Sequence, residues 1–319
     1  MDTIAAPRLG MTFTSAMDPE QLVTVATSTE RHGLDELWVF EDCFGASSIP
    51  LVTAALAATT RIRVGIALAP VPLRNPALMA MEFATLARLF PARFVPGIGT
   101  GVSEWMAQAG EAVASPMALL RESAVAVTRL LHGEEVTVDG RYVHLDRVRL
   151  TRPPADRMTP FIGAGGPRMQ ALAGELGAGT ILGTGLTEED IELRCRQTLT
   201  AAREAGKTGH EIVLLHVVAT GDHAHARVDA ELVYWGSPAG IGAGAAGDAE
   251  EVAGSIRRAA GLGVTSVSVM ATQDVADIGE FIRFVGEDVR PLLTARAAPP
   301  SRAPRAAEGN ASPRHPPRS

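Results

Sequence analysis

Arg61-Ile62-Arg63-Val64-Gly65-Ile66-Ala67-Leu68-Ala69-Pro70-Val71-Pro72-Leu73-Arg74-Asn75-Pro76 is the stretch whose reading decides the fold. Ile62, Val64 and Ile66 alternate with other residues, and Ala67-Leu68 prolongs the apolar run, as in a buried strand. Pro70, Pro72 and Pro76 then stop it, and a helical period follows at once over residues 77–89. A strand that ends abruptly, a proline-fixed loop and a helix make one β/α unit. Its working end is the C-terminus of the strand.

The same rhythm runs outward in both directions. Further strands are expected over residues 9–13, 34–40, 93–99, 160–164, 179–183, 212–219 and 264–270, with helices between them. Asp18-Pro19 looks like a helix start, with Asp18 as N-cap and Pro19 in the first turn. One insertion interrupts the alternation. Residues 136–145 read as a hairpin, because Asp139-Gly140 sits between two alternating arms. Strands that alternate with helices are parallel and joined by crossovers, and eight such units at this length suit a closed (β/α)8 TIM barrel. A doubly wound open sheet is the alternative, but no Gly-x-Gly-x-x-Gly follows the first strand. The barrel is expected over residues 1–294. Residues 295–319 are rich in Pro and Arg, nearly lack large apolar side chains, and read as a disordered tail.

Composition narrows the function. The chain has 319 residues, 46% of them hydrophobic, and a net charge of −7. That balance argues against nucleic acid as the main partner, which calls for a basic face. Cys43 and Cys195 are too far apart in sequence to suggest a framework or a metal pair. No basic-then-apolar leader and no membrane-length apolar run is visible, so a soluble cytoplasmic protein with a small-molecule substrate is expected.

In a barrel the chemistry sits on the loops after the strands. Gly163-Ala164-Gly165-Gly166-Pro167-Arg168 is the strongest signal. Its glycines permit close approach of a ligand, and the helix start at Pro167 offers free N–H groups to an anion. An ordinary tight turn is the plain alternative. Gly99-Thr100-Gly101 after the fourth strand would cradle a ligand edge or simply turn. Glu41 and Asp42, ending the second strand, are candidate acid–base groups, or caps of neighbouring loops. His216 falls within a strand, where it would face the barrel interior or be a hydrogen-bonded core histidine. Trp105-Met106 would wall a planar ligand or fill the core. Asp222, His223 and His225 lack a third ligand cluster, so no metal is expected.

Four segments in order resemble the luciferase-like flavin-dependent monooxygenase superfamily. They are Leu37–Asp42, Arg63–Pro70 with Arg74-Asn75-Pro76, Arg93–Gly101, and Pro160–Pro167 with Leu172-Ala173-Gly174. The closer likeness is to its deazaflavin branch, the methylenetetrahydromethanopterin-reductase-like oxidoreductases that use coenzyme F420. The resemblance implies the (β/α)8 barrel and a bulge at Ile66-Ala67 pressing on the deazaflavin ring, often at a non-proline cis peptide. It also implies a cofactor phosphate held by the backbone of Gly165 and Gly166 in the turn Gly163–Gly166, and a ring lined by Gly99, Thr100 and Gly101. Members of the family often form homodimers.

Three departures matter. Family members commonly carry Asp-His where this chain has Glu41-Asp42. The sugar-phosphate dehydrogenase branch has a glutamate proton donor where this chain has Val102, with Glu104 two residues on. The usual Ala-Asp-Gly after the strand-five helix is Gly177-Ala178-Gly179. The expected function is hydride transfer between F420 and a small organic substrate, with Asp42 or Glu41 handling a proton and sugar phosphate disfavoured. The alternatives are an FMN-dependent monooxygenase and a non-catalytic flavin- or phosphate-binding barrel.

Overall fold

The computed structural model describes residues 6–237 and 243–294. The tail expected over 295–319 lies outside the described residues. In chain order the elements are β1 (Arg8–Phe13), α1 (Leu22–Arg31), β2 (Glu36–Val39), α2 (Ser48–Ala58), β3 (Arg63–Ile66), β4 (Ala69–Pro70), α3 (Pro76–Leu89), β5 (Phe94–Val95) and β6 (Gly97–Gly99). There follow α4 (Ser103–Gln108), α5 (Pro116–Leu131), β7 (Val136–Asp139), β8 (His144–Val148), β9 (Phe161–Gly163), α6 (Pro167–Leu176), β10 (Gly179–Leu182) and α7 (Glu188–Glu204). The chain continues through β11 (Glu211–Ala219), α8 (Ala224–Tyr234), β12 (Ala245–Ala246), α9 (Ala249–Gly261), β13 (Ser266–Ala271), α10 (Ile278–Arg283) and α11 (Arg290–Thr294), with a π-helical segment over Phe284–Val289 between the last two.

Every strand pairing around the main sheet is parallel. The ring runs β13–β1–β2–β3–β5 on one side and β4–β6–β9–β10–β11–β13 on the other. Because β3 and β4 are two pieces of one strand, and β5 and β6 of the next, these ten segments are eight staves of a closed barrel.

The stretch around Ile66 breaks earlier than its prolines suggest, and Pro70 lies within the resumed strand. β3 stops at Ile66, the Ala67–Leu68 peptide is cis, and β4 resumes at Ala69. The irregularity thus falls one residue later than the expected Ile66–Ala67. Ile62, Val64 and Ile66 belong to the large cluster between sheet and helices, whereas Ala67 joins the cluster inside the barrel.

Few aromatic rings fill the interior, and glycines make room for them. Trp38 and Phe161 lie with ring centroids 5.9 Å apart. A Cβ on Gly65 would come within 2.5 Å of the Trp38 ring, and one on Gly179 within 2.4 Å of Phe161. At the base of the barrel Glu36, 1% exposed, accepts from Trp38 Nε1 at 2.8 Å and from Ser266 Oγ at 2.7 Å, and pairs with Arg8 at 2.5 Å and Arg63 at 3.1 Å. A buried carboxylate is tolerable only when satisfied in this way.

The insertion is an antiparallel hairpin, but its turn is longer than Asp139-Gly140 suggests. Asp139 pairs with His144, leaving residues 140–143 as the turn. The carboxylate of Glu122 on α5 accepts from the backbone N–H groups of Arg141, Tyr142 and Val143. That tertiary cap replaces the two-residue turn. Asp18 makes no side-chain cap, and the chain enters α1 through a short 3-10 turn instead.

One unit is unusual. After β11 the chain makes α8 and returns to β12, which pairs with Val218 and Ala219 at the end of the strand it left. Helix α8 therefore lies over the C-terminal mouth, and α9 is the crossover. Val228 and Leu232 of α8 pack into the interior cluster.

Candidate functional site

The C-terminal mouth opens into a cavity of about 550 Å³. Its walls come from six of the eight units. Phe40, Glu41 and Asp42 end β2. Ala67, Leu68 and Pro70 come from the break in the third stave, and Thr100, Gly101, Val102 and Trp105 from the loop after β6. Gly163, Ala164, Gly165 and Met169 follow β9, Gly183, Thr184, Leu186 and Arg194 follow β10, and Leu215 and Trp235 belong to the β11 unit. Of the expected cofactor residues, Ala67, Thr100, Gly101, Gly163, Ala164 and Gly165 line this cavity, whereas Gly99 and Gly166 do not. Ile66 does not line the cavity: it is fully buried toward the helices, because alternation along β3 turns it away from the interior.

The glycines divide into two kinds. A Cβ on Gly99 would lie 2.5 Å from Leu68 Cδ2, and one on Gly163 only 2.2 Å from it. Those two glycines make room for Leu68, which leans across them toward the cavity. Gly165 and Gly166 differ, since a Cβ on either would meet nothing within 4 Å, and neither has the positive φ that demands glycine. Packing does not explain them. Open space above the start of α6 does, because the first N–H groups of a helix have no partner within it. The loop is anchored from below. Gln170 Nε2 donates to the carbonyl of Ala164 at 2.7 Å, and Thr198 Oγ1 on α7 donates to Gln170 Oε1 at 2.6 Å. Gly174 lets α6 and α7 approach so closely, since its Cβ would lie 2.3 Å from the Thr198 carbonyl oxygen.

The two carboxylates at the end of β2 have different partners. Glu41 pairs with Arg74 Nη2 at 2.6 Å and accepts from Ser48 Oγ; Arg74 also pairs with Glu82 of α3 at 3.2 Å. Glu41 is therefore held in a structural cluster. Asp42 accepts one hydrogen bond from Ser15 Oγ at 2.6 Å, and burial pushes its carboxyl above the usual range, with that bond acting the other way. Of the pair, Asp42 has no ion-pair partner among the described residues. Cys43 beside it is pushed up by burial and by both carboxylates, which leaves it a poor thiolate.

Three other residues resolve. Trp105 lines the cavity while Met106 is buried in the core. His216 does not face the interior: Nε2 lies 3.0 Å from Ser255 Oγ of α9, and burial pushes its imidazole down to about 4. His223 and His225 are exposed, and no group of metal-ligating side chains occurs among the described residues.

Sequence reasoning missed Leu68, Arg194 and Trp235. Arg194 is the one basic side chain lining the cavity, is half-buried, and has no ion-pair or hydrogen-bond partner among the described residues. Helical spacing places it one turn before Thr198, but nothing local distinguishes it from the neighbouring arginines. Trp235 meets Phe40 edge to face with centroids 5.6 Å apart, and its Nε1 donates to Glu231 Oε1 at 2.7 Å.

No helix among the described residues is long and apolar enough to cross a membrane. Among solved structures the chain is similar to an F420-dependent secondary alcohol dehydrogenase in complex with an F420-acetone adduct, with a TM-score of 0.81 and 21% identity over 91% of this chain and 99% of that one. It is also similar to the coenzyme F420-dependent tetrahydromethanopterin reductase of Methanopyrus kandleri, with a TM-score of 0.77 and 20% identity over 90% and 99%. These likenesses show the fold. Among curated relatives, the F420-dependent glucose-6-phosphate dehydrogenase of Nakamurella multipartita is 33% identical over 179 residues, which are 52% of this chain and 53% of that protein. The enzyme of the same name from Mycobacterium avium is 34% identical over 185 residues, 54% and 55% of the two chains. The chain thus spans little more than half the length of these relatives. The model of the luciferase-like monooxygenase family matches residues 2–261. With that match covering most of the chain, the protein belongs to the luciferase-like monooxygenase family.

Proposed function

We propose that the protein is an F420-dependent oxidoreductase acting on a small organic substrate in the cavity at the barrel mouth. The observation that carries this reading is the pair Gly165 and Gly166. No side chain closes the space over either, and Gly165 lines the cavity that the Ala67–Leu68 break also lines. A planar ring bearing a phosphate side chain fits that arrangement, with the phosphate on the N–H groups at the start of α6. The F420-dependent relatives and structural neighbours support the choice of ring.

When bound, the deazaflavin supplies hydride transfer. This chain's residues do the rest. Ala67 and Leu68, which line the cavity, would hold the ring. Gln170 holds the Ala164 carbonyl and so the phosphate loop. Asp42, kept protonated to higher pH by burial, gives a proton to the substrate oxygen or takes one from it. Arg194 offers a cation to an acidic group. Glu41 keeps the Asp42 loop in place through Arg74.

Titration of the purified protein with oxidised F420 and with FMN, followed by absorbance and fluorescence, tests this. Micromolar F420 binding with weaker FMN binding is expected. Tighter FMN binding with oxygen uptake would favour the monooxygenase reading that the family's description suggests, and binding without turnover would favour a non-catalytic barrel.

A further inference from the structure

The helix over the mouth brings an aromatic side chain into the cavity and locks it there. Trp235 ends α8, and its ring packs edge to face on Phe40. Its polar edge is fixed, because Nε1 donates to Glu231 at 2.7 Å. The other oxygen of Glu231 accepts the backbone N–H of Gln273 at 2.9 Å, so one carboxylate ties the indole to the loop after β13. Glu231 is only 5% exposed. Burying a carboxylate costs free energy unless it is hydrogen-bonded, and here each oxygen accepts a bond that holds this wall.

Position in the ring of staves says which side of the cavity this wall serves. Trp235 belongs to the seventh stave's unit, four places round from the third, where the Ala67–Leu68 break lies. The Trp235 ring packs on Phe40 at the end of the second stave, which pairs with the third, so the Trp235–Phe40 wall reaches across the mouth to the side of that break, and a substrate set against a ring there meets it. The Trp235–Phe40 wall itself has little polarity to offer, the polar side chains Asp42 and Arg194 standing elsewhere in the lining. The Trp235 N–H is already committed to Glu231, and Glu41 is committed to Arg74 and Ser48. A polyhydroxylated molecule would leave hydroxyls unpaired there.

We propose that Trp235, oriented by Glu231, is the specificity-determining wall, and that the substrate is a flat, apolar carbonyl compound or the corresponding alcohol, not a sugar phosphate. This rests on the cavity being an F420-dependent site. An apolar ring set against the indole gains edge or offset contacts as well as burial.

The test is binding of three probes, cinnamaldehyde, cyclohexanecarbaldehyde and glucose 6-phosphate, measured by saturation-transfer NMR with and without F420. Wild-type protein should bind cinnamaldehyde best. Trp235→Ala should weaken it about tenfold, beyond its effect on cyclohexanecarbaldehyde, as expected for loss of an aromatic pair together with its buried area. Trp235→Phe should retain most of the affinity. Glu231→Ala should behave like Trp235→Ala, while Glu231→Gln, which keeps an acceptor for the indole but turns its NH2 toward the Gln273 N–H, should restore most of the binding. The F420 affinity of all four variants should stay within about twofold of wild type, since neither Trp235 nor Glu231 belongs to the turn that starts α6. Preference for glucose 6-phosphate, or equal loss of both aldehydes in Trp235→Ala, overturns the proposal. Failure of wild-type protein to bind F420 sinks the underlying reading instead, and the ranking of the probes on cofactor-free protein still decides the wall's role.

Discussion

Leu68 Cδ2 occupies the place where a side chain on Gly163 would begin: an ideal Cβ there would lie 2.2 Å from it. One leucine from the third stave therefore requires glycine on the fifth, and the same side chain requires it again at Gly99 on the fourth, at 2.5 Å. Three separate segments of sequence are fixed by one contact. Gly163→Ala should displace Leu68 into the cavity and destabilise the protein by about 1–3 kcal/mol, the usual penalty for overpacking. Leu68→Ala in the same chain should recover most of that loss. Thermal melts of the two single variants and the double variant measure the coupling, and simple additivity would show that the two residues do not compete for space.

Gly165 and Gly166 should behave in the opposite way. Alanine at Gly166 meets nothing within 4 Å and needs no unusual backbone angle. Gly166→Ala should therefore leave the melting temperature nearly unchanged, as for substitutions away from packed features, within about 0.5 kcal/mol. It should weaken F420 binding at least about tenfold if its open face is where the cofactor's phosphate approaches the backbone. Equilibrium titration alongside the melt separates the two effects. Loss of stability with full affinity would mean that the glycine serves the fold.

Much of the barrel is legible because its signals are local. Alternation in residues 62–66, the prolines that follow and the glycine-rich ends of the fourth and fifth staves can each be read within a few residues. What sequence leaves open is set by partners distant in the chain. The hairpin turn is lengthened by Glu122, which caps the N–H groups of residues 141–143 from another element. Ile66 and Ala67 are neighbours, yet one faces the helices and the other the cavity, and the boundary depends on where the strand breaks. Glu41 and Asp42 are equivalent as adjacent carboxylates. Only the fold gives one of them Arg74 and leaves the other a hydroxyl. Arg194 and Trp235 carry no motif, and they reach the cavity through helix packing and an excursion over the mouth.

Asp42 should reveal itself by pH. Burial raises its carboxyl above the ordinary value of 3.8. A carboxyl whose pKa is raised by folding binds its proton more tightly in the native state. Stability is therefore lost as pH rises from the unfolded value through the folded one, and the loss persists above both. Asp42→Asn keeps an acceptor for Ser15 and removes the charge. It should raise the melting temperature at neutral pH and give no gain below about pH 3, where both states are protonated. Turnover should fall by about 10²–10⁴, the usual contribution of a positioned acid or base. A variant that is stabilised but fully active would confine Asp42 to the fold.

Arg74 gives the sharpest test of the cluster beneath the site. It lies between Glu41 and Glu82, at 2.6 and 3.2 Å, and all three side chains are largely buried, at 12%, 10% and 24% exposed. Burial already pushes the Glu82 carboxyl up, and the guanidinium is the chief influence holding it down. Arg74→Met removes that influence and leaves two carboxylates facing each other. Breaking a buried pair by deleting one partner costs about 3–5 kcal/mol. Because the cost belongs to the charged carboxylates, it should shrink as pH falls and they take up protons. Chemical denaturation of Arg74→Met at neutral and at acidic pH reads this directly, with the larger deficit expected at neutral pH. Adding Glu82→Gln should recover part of the loss, since one of the opposing charges is gone, and a deficit independent of pH would assign Arg74 to packing alone.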